Sequence, residues 1–540
     1  MAFDLTNFQD ETLDADYLAF LVDQQSVDNA RHFGRLWDYF RNPLSPAAAV
    51  GSSSRPYVQA QEAGLPSRIT GVQGSTGNQP VTDIRRKEIV IENDIAWRIH
   101  TMVDYLFGRA VTIRSKARDA HVAHAIEAVV AAMLDANGGV RFLQEAALLG
   151  SVHGFVDIAL RTPAEGAAIL PPSSLASANA SRSRPATSRP DTSHIPAGVA
   201  GAAAAGQYPD GTRSNSIMQR AIRYARLFTF ETIEAPRVLP VLQEDDYHRL
   251  SYWTQRFHKH PPRVAGAKRS WLSLLLGSRQ EAMPEVVEVI EIIGPQWWQR
   301  YEDRRLVAEG PNALGRLPVV HIPNIALPGL YEGLSDVEPL IPLQDELNTR
   351  LSDRANRVTY QSFKMYLGKG IDDFLDRPVG PGQMWATQNL QASIEEFGSD
   401  SGSPSEDIHI DQVRQAMDKV SGVTPLAAGL IGGAIGNLTS ATALKVVLSG
   451  LLARTAKKRL SYGQGLQQLV ELALAWMDLA GVLKTSPQDR AIEIHWPNPL
   501  PVDEGEQLRN AQINAQLGVP LNRVLMELGY DRPTAETAAE

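Results

Sequence analysis

"LSDVEPLIPLQDELNTRLSDRANRVTYQSF", residues 334–363, carries two signals at once. Ser335 and Glu338 stand three residues apart, the spacing at which the two side chains cap each other's backbone donors at a helix start. Leu343, Leu347, Leu351, Ala355 and Val358 then recur every three or four residues, an apolar row along one helix face. The spacing predicts a long helix over 335–363. Just upstream, "LPVVHIPN" (317–324) reads as a strand. Downstream, "LGKGIDDFLDRPVGPGQMWATQNLQASIEEFG" (367–398) reads as a compact strand-and-turn segment.

Working towards the C-terminus, "SEDIHIDQVRQAMDKVSG" (405–422) is a shorter helix. An uncharged, glycine-rich stretch follows, and a very long helix is expected from about Thr439 to about Leu479. At the standard rise it would run roughly 60 Å, with a bend expected near Gly463 and Gly465. The strand "AIEIHWPNPLP" (491–501) and the short helices "DEGEQLRNAQINAQLG" (503–518) and "LNRVLMELG" (521–529) come last.

Towards the N-terminus, residues 88–161 alternate helix and strand. Ile95, Ile99, Met102, Val103 and Leu106 recur at helical spacing before the strand "AVTIRS" (110–115). Two helices, "HAIEAVVAAMLDANG" and "RFLQEAALLG", precede the strand "GFVDIALR" (154–161). Residues 162–207 are low in complexity, with no aromatic between Phe155 and Tyr208, so a flexible insertion is expected. β patterning returns in "RLFTFETIEAP", "YHRLSYWTQRFH" and "EVVEVIEIIG", and alternation puts Trp297 and Trp298 on opposite faces of a strand, one core and one interfacial. Residues 1–87 hold one amphipathic segment, "SVDNARHFGRLWDYFR", among Pro/Gly/Ser/Gln-rich connectors, and read as an extended arm. The fold class expected is α+β, mainly helical.

Composition narrows the function. The chain has 540 residues, no cysteine and a formal net charge of −9, which leaves no disulfide or thiolate metal site and argues against a basic surface that grips DNA. The N-terminus opens acidic, without the features of a signal peptide, and no run reaches the roughly 20 apolar residues of a membrane span. A soluble chain retained in the cytoplasm is expected.

"IGGAIGNLTSATALK" (431–445) raises the possibility of a phosphate cradle. A phosphate-binding loop needs two glycines five apart followed by Lys and Ser/Thr, and a dinucleotide fingerprint needs G-x-G. Gly429, Gly432, Gly433 and Gly436 satisfy neither spacing. A mobile surface loop is the better reading. His258 and His260 lack nearby carboxylates, and Glu406, Asp407, His409 and Asp411 at a helix start suit the macrodipole rather than a metal. Arg454, Lys457, Lys458 and Arg459 spread around a helix and read as a solvated face, with contact to DNA or a neighbouring subunit as the alternative. Nucleophile motifs are absent, so no catalytic residue, metal or cofactor is expected.

The order of elements resembles the phage portal protein family. The resemblance rests on "IHTMVDYLFGRAVTI" (99–113), on 317–357, on "GNLTSATALK" (436–445), and on "WPNPLPVDEGEQLRNAQINAQLGVPLNRVLMELGY" (496–530). Where the family's loop motif commonly has a second glycine, this chain has Ala441. The resemblance implies a portal-type fold: an N-terminal arm (1–87), an α/β wing (88–334) holding the insertion at 162–207, and a helical stem (335–363 and 405–422). It further implies a small β-containing clip (364–400), a tunnel loop (424–438), a long bent spine helix (439–482), and a C-terminal strand with a helical crown (483–540).

The function implied is a ring of typically twelve subunits at one capsid vertex. Double-stranded DNA is packaged and ejected through it. Implied partners are further copies of the chain, the terminase large subunit, head-completion and tail proteins, the major capsid protein and the passing DNA, with no membrane. The location implied is the virion, and the host cytoplasm during assembly. Residues carried over to the tunnel loop are Leu430, Ile431, Gly432, Gly433, Ala434, Ile435, Gly436, Asn437, Leu438 and Thr439. Arg350, Arg354 and Arg357 are expected to contact the channel or a neighbouring subunit, and Asp372, Asp373, Arg377 and Trp385 to serve clip docking. The competing expectations are another head–tail adaptor or capsid component, or a nucleotide-dependent enzyme using the glycine loop.

Overall fold

A computed structural model describes residues 3–8, 13–41, 90–162, 210–246, 249–259, 286–362, 365–370, 389–397, 404–429, 445–500 and 504–528. The chain begins with a short helix α1 (Ala15–Phe20), a π-helical turn (Leu21–Gln25) and α2 (Ser26–Arg41). Next come α3 (Asp94–Phe107), β1 (Thr112–Ser115), α4 (Ala120–Ala136), α5 (Val140–His153) and β2 (Phe155–Arg161). Helix α6 (Asp210–Ala225) leads into β3 (Thr229–Ile233), β4 (Val238–Leu242), β5 (Leu250–Lys259), β6 (Val287–Ile293), β7 (Trp297–Glu302), β8 (Arg305–Pro311) and β9 (Val319–Pro323). Helix α7 (Ile341–Ser362), the strands β10 (Met365–Lys369) and β11 (Ser393–Phe397), and α8 (Pro404–Ser421) follow. The chain closes with α9 (Ser449–Leu479), β12 (Ile492–His495), α10 (Glu504–Gln516) and α11 (Leu521–Glu527). The protein is thus a mixed helix-and-sheet structure, as the α+β expectation has it.

Two sheets organise it. The smaller has the order β3-β2-β9, and β2 is buried along nearly its whole length under α5 and α9. The larger is an antiparallel meander, β4-β5-β6-β7-β8. Its register assigns the faces. Leu239, Val241, Tyr252, Ile290, Ile292 and Tyr301 share one face, against which Leu18, Leu21 and Val22 pack. Val238, Trp253 and Ile293 share the other and join the main core. Trp297 accordingly lies against the N-terminal segment, while Trp298 points out of the opposite face and is partly exposed.

The described part of the expected N-terminal arm, residues 3–8 and 13–41, is not extended. Phe33, Leu36, Tyr39 and Phe40 of α2 enter the main core, and Phe3, Phe8 and Leu13 join α1 on the sheet. The amphipathic period within 26–41 was visible in sequence, but its partners on α5 and β2 lie more than a hundred residues away. Helix α6 was not anticipated at all, and it packs on α4 through a face that includes Ala221, Tyr224 and Ala225. The insertion expected at 162–207 lies outside the described residues, apart from Thr162.

The long helix also differs from expectation. After a helical turn at 445–447 the chain breaks at Leu448, and α9 runs from Ser449. Gly463 and Gly465 serve close packing within a continuous helix. A Cβ on Gly465 would come within 2.4 Å of Ile322 on β9, and Trp496 lies over Gly463. Tyr462, next to them, fills the space left by Gly150 on α5. Small residues thus let α9 approach the sheet and α5 more closely than larger side chains would allow.

One core residue is polar without compensation. His153 is buried between Trp37 and Phe33 of α2, and neither ring nitrogen has a hydrogen-bond partner among the described residues. Burial, reinforced by the nearby His32, pulls its pKa down to about 4. The folded state therefore binds this proton less readily than the unfolded chain, whose histidine titrates near 6.5. The stability is complete above that value and is lost as pH falls towards 4, by at most about 3 kcal/mol. Substituting His153→Phe should flatten the decline in thermal midpoint between pH 6.5 and 4, read by differential scanning calorimetry.

Candidate functional site: a helical hairpin and its buried clamps

The segment between β9 and α7 is fixed before the hairpin begins. Asp157, fully buried on β2, accepts hydrogen bonds from Trp253 Nε1 (2.7 Å) and the Tyr331 hydroxyl (3.0 Å), and contacts His321 Nδ1 (2.8 Å). Burial, with the Asp157 carboxylate beside it, pushes the Tyr331 hydroxyl well above its ordinary pKa, so it remains a donor. Four residues on, the Ser335 hydroxyl accepts from the backbone N–H groups of Val337 and Glu338 and donates to the Val152 carbonyl. This is the Ser335 half of the expected cap, but it starts a 3-10 turn over Glu338–Leu340, and the α-helix begins at Ile341. Pro339 and Pro342 carry no N–H to donate, which accounts for the later start.

Asp336 forms the first clamp. Its carboxylate receives Lys458 Nζ (2.5 Å), Arg454 Nη2 (2.7 Å) and Asn324 Nδ2 (2.9 Å), while its own N–H donates to Ser151 O (2.9 Å). Lys458 also reaches the Ser151 hydroxyl (2.7 Å). Burial alone would raise the Asp336 pKa, but the two cations hold it below the ordinary carboxylate value. Burial draws the Lys458 ammonium below its usual value, against the pull of Asp336. The basic run 454–459 is therefore not a solvated face. Arg454 and Lys458 point inwards at one carboxylate, Arg459 lies over the Trp496 ring, and only Lys457 is exposed. The four-residue spacing of Arg454 and Lys458 was legible; an acid more than a hundred residues upstream was not.

A second clamp joins α3 to the far end of the hairpin. Arg98, on α3, is buried, with Nη2 on Asp94 (2.9 Å) and Nη1 on both Asp418 and the Val423 carbonyl (2.6 Å each). Burial raises the Asp418 pKa although Arg98 opposes it. Gly422 follows with φ +71°, packed on Gly450 at the start of α9, and Val423 shares a small apolar cluster with Met102 and Leu451. The base of the loop that begins at Pro425 is thereby held by two helices.

A ladder of polar side chains on α7 positions the other side. Gln344, Asn348 and Ser352 recur every four residues, all buried. They accept hydrogen bonds from the backbone N–H groups of Asp94 (3.2 Å), Glu92 (2.9 Å) and Val90 (3.0 Å). Gln344 and Ser352 also donate to the carbonyls of Glu92 and Val90. These side chains satisfy an extended strip of backbone that no strand accompanies. Sequence reading took the neighbouring leucines as the row that mattered, and of these Leu347 is buried while Val358 is exposed.

The outer side of the hairpin is laced by ion pairs within the chain. Arg350 pairs with Glu346 (2.8 Å) and Asp353 (3.2 Å), and Arg354 pairs with Asp407 (3.0 Å). Arg357 pairs with Glu406, and His409 lies 3.0 Å from Glu346. The structure thus brings Arg354 and Arg357 together with the acidic start of α8, while Arg350 pairs within α7. Each pair is partly exposed and individually worth little, about 0–1 kcal/mol. Their joint effect is to cancel charge along the hairpin. Leu430–Thr439 of the expected tunnel loop, and Asp372, Asp373, Arg377 and Trp385 of the expected clip, lie outside the described residues; the described clip positions form the antiparallel pair β10-β11.

A long helix, α9, is thus clamped to the lead of a helical hairpin, and β10 and β11 lie between the hairpin's two helices in sequence. Residues 286–531 match the family model for phage portal proteins of the SPP1 Gp6-like type. The match supports a phage portal protein family for this chain. No curated protein matches it at a significant level. The matched span takes in both hairpin helices, both partners of the Asp336 clamp, α9 and the C-terminal helices, but not α1 to β5. A portal family is structural rather than enzymatic in general. Among the described residues no group of three or more His, Asp or Glu could hold a metal ion, and no helix is long and apolar enough to cross a membrane.

The clamp gives a direct test. Asp336→Asn strands a buried ammonium, and removing one partner of a buried pair costs about 3–5 kcal/mol. Lys458→Met replaces the ammonium with an apolar chain of similar length and leaves Arg454 on the carboxylate, so it should cost distinctly less. Urea denaturation of the two variants checks the order.

Proposed function

We propose that the chain is a portal subunit, with about twelve copies closing into a ring at one capsid vertex. The hairpin α7/α8 forms the stem around a channel for double-stranded DNA. The observation that carries this reading is the pairing of Arg350, Arg354 and Arg357 with carboxylates of the same chain. Duplex DNA is held by cations that displace its counterions, and a lining that held phosphates strongly would brake its passage. Arginines already engaged with Glu346, Glu406 and Asp407 leave a stem of balanced charge. In this reading Leu430 to Thr439 form an uncharged loop bordering the duplex, its base held by Arg98. The β10-β11 region, with Asp372, Asp373, Arg377 and Trp385 between the strands, is the clip on which the terminase large subunit docks and, later, head-completion and tail proteins. The assembled ring resides in the virion.

Mass photometry and negative-stain microscopy of the purified chain should show rings; monomers or dimers under every condition would sink the proposal. Removing residues 371–388 should abolish terminase large-subunit binding in a pull-down while rings persist. Undiminished binding would point to an adaptor role instead. The charge argument has its own test. Glu406→Gln with Asp407→Asn frees Arg354 and Arg357 in every subunit, so rings should retain duplex DNA more tightly, with a steeper dependence on salt. An unchanged salt slope would remove the charge-balance argument.

A further inference from the structure

The two faces of the five-stranded sheet carry complementary features. On the face covered by the N-terminal segment, α1 buries Leu18 and turns Tyr17 and Phe20 outwards. These rings stack on each other 6.3 Å apart and remain 40% and 45% exposed. Asp14 and Asp16 are exposed next to them in sequence, Asp23 is paired with Arg304, and the exposed Val27 follows about two turns further on. The result is an aromatic knob in an acidic setting.

The opposite face holds an open cavity of about 400 Å³. Trp298, Pro311, Leu314 and Trp476 give it apolar walls, and Arg161 and Arg300 stand at its polar end. Arg161 pairs with Glu291 (2.7 Å) and Glu231 (2.9 Å), and Arg300 with Glu291 and Glu302 (3.5 Å each), yet Arg300 Nε has no hydrogen-bond partner among the described residues. Arg305, exposed further along the same face, forms no ion pair with a described carboxylate. The cavity has the size of a site for one or two large side chains, and Arg305 adds an uncompensated positive charge on its face.

We infer that Tyr17 and Phe20 of one copy of the chain seat in the Trp298/Trp476 cavity of the next copy. The inference rests on the ring reading above. A knob and a cavity on opposite faces of one sheet cannot meet through a two-fold axis that pairs like with like. They form a head-to-tail contact, the kind that closes into a ring when the rotation allows. Burying two aromatic rings supplies the apolar anchor, and the exposed Asp14 and Asp16 beside the knob complement Arg305 on the cavity's face, which favours this register over others. The cavity is incomplete without the neighbour's side chains.

Tyr17→Ser with Phe20→Ser removes the knob, and Ala313→Trp, at an exposed position on the cavity wall, fills the cavity. Both sets of changes fall on exposed side chains, and circular dichroism and the thermal midpoint check that the subunit still folds. At a fixed subunit concentration each change should lower the ring fraction in mass photometry at least tenfold. Combining them should lower it no further, because both remove one contact. Rings that form as in the parent, or losses that multiply in the combination, overturn the inference while leaving the ring reading intact. A parent that never forms rings overturns both.

A covalent test uses the absence of cysteine. Phe20→Cys with Ala313→Cys in one chain, treated with a short bis-maleimide, should give a ladder of linked oligomers on a denaturing gel. Either cysteine alone should give no ladder. Rings that yield no ladder, or Phe20→Cys alone yielding dimers, overturn the head-to-tail contact.

Discussion

The carboxylate of Asp336 is the point at which the structure is held together. A fully buried anion is costly unless its charge is matched and its lone pairs are occupied, and here both conditions are met by groups from three separate regions. Arg454 and Lys458 come from α9, Asn324 from the end of β9, and Asp336 itself from the lead into α7. Each group is satisfied only when the other two regions are in place. The consequence is a single permitted register between the long helix, the smaller sheet and the hairpin. A purely apolar contact of the same area would tolerate small slides; this one does not.

The same logic recurs at smaller scale. Arg98 gathers Asp94, Asp418 and a carbonyl beyond the end of α8, so the hairpin is fixed at its far end as well. The ladder of Gln344, Asn348 and Ser352 holds the backbone that leads into α3. Between these buried polar fixings the hairpin's outer surface is left with partly exposed ion pairs, which rearrange at little cost. Rigid supports behind a permissive surface suit a part that must keep its place while something moves across it.

Most individual elements were legible in the sequence, because each follows a local period. The apolar row of 343–358, the alternation in 287–293 and the amphipathic stripe in 26–41 all correspond to real helices and strands. What was not legible depended on partners distant in the chain. Nothing local marks Arg454 and Lys458 as inward-facing when their acid is Asp336. Nothing local marks Gln344, Asn348 and Ser352 as buried, since polar residues on a helix are ordinarily solvated. Gly465 reads as a weak point in a helix until Ile322 is placed against it. The arm was misjudged for the same reason, because Phe33 and Leu36 find their core only after β2 and α5 exist.

The pairing of β1 with β12 carries a temporal consequence. Thr112 lies opposite His495, so two short strands separated by roughly 380 residues complete one another. Synthesis proceeds from the N-terminus, and β1 therefore emerges long before its mate. Until β12 is made, the edge of β1 is open to pairing with other chains. Only four residues long, with Arg114 within it and Lys116 just after it, β1 offers a poor template for such misassembly. Among the described strands the last to arrive closes the first one made, which couples the pairing of β1 to the synthesis of residues 492–495.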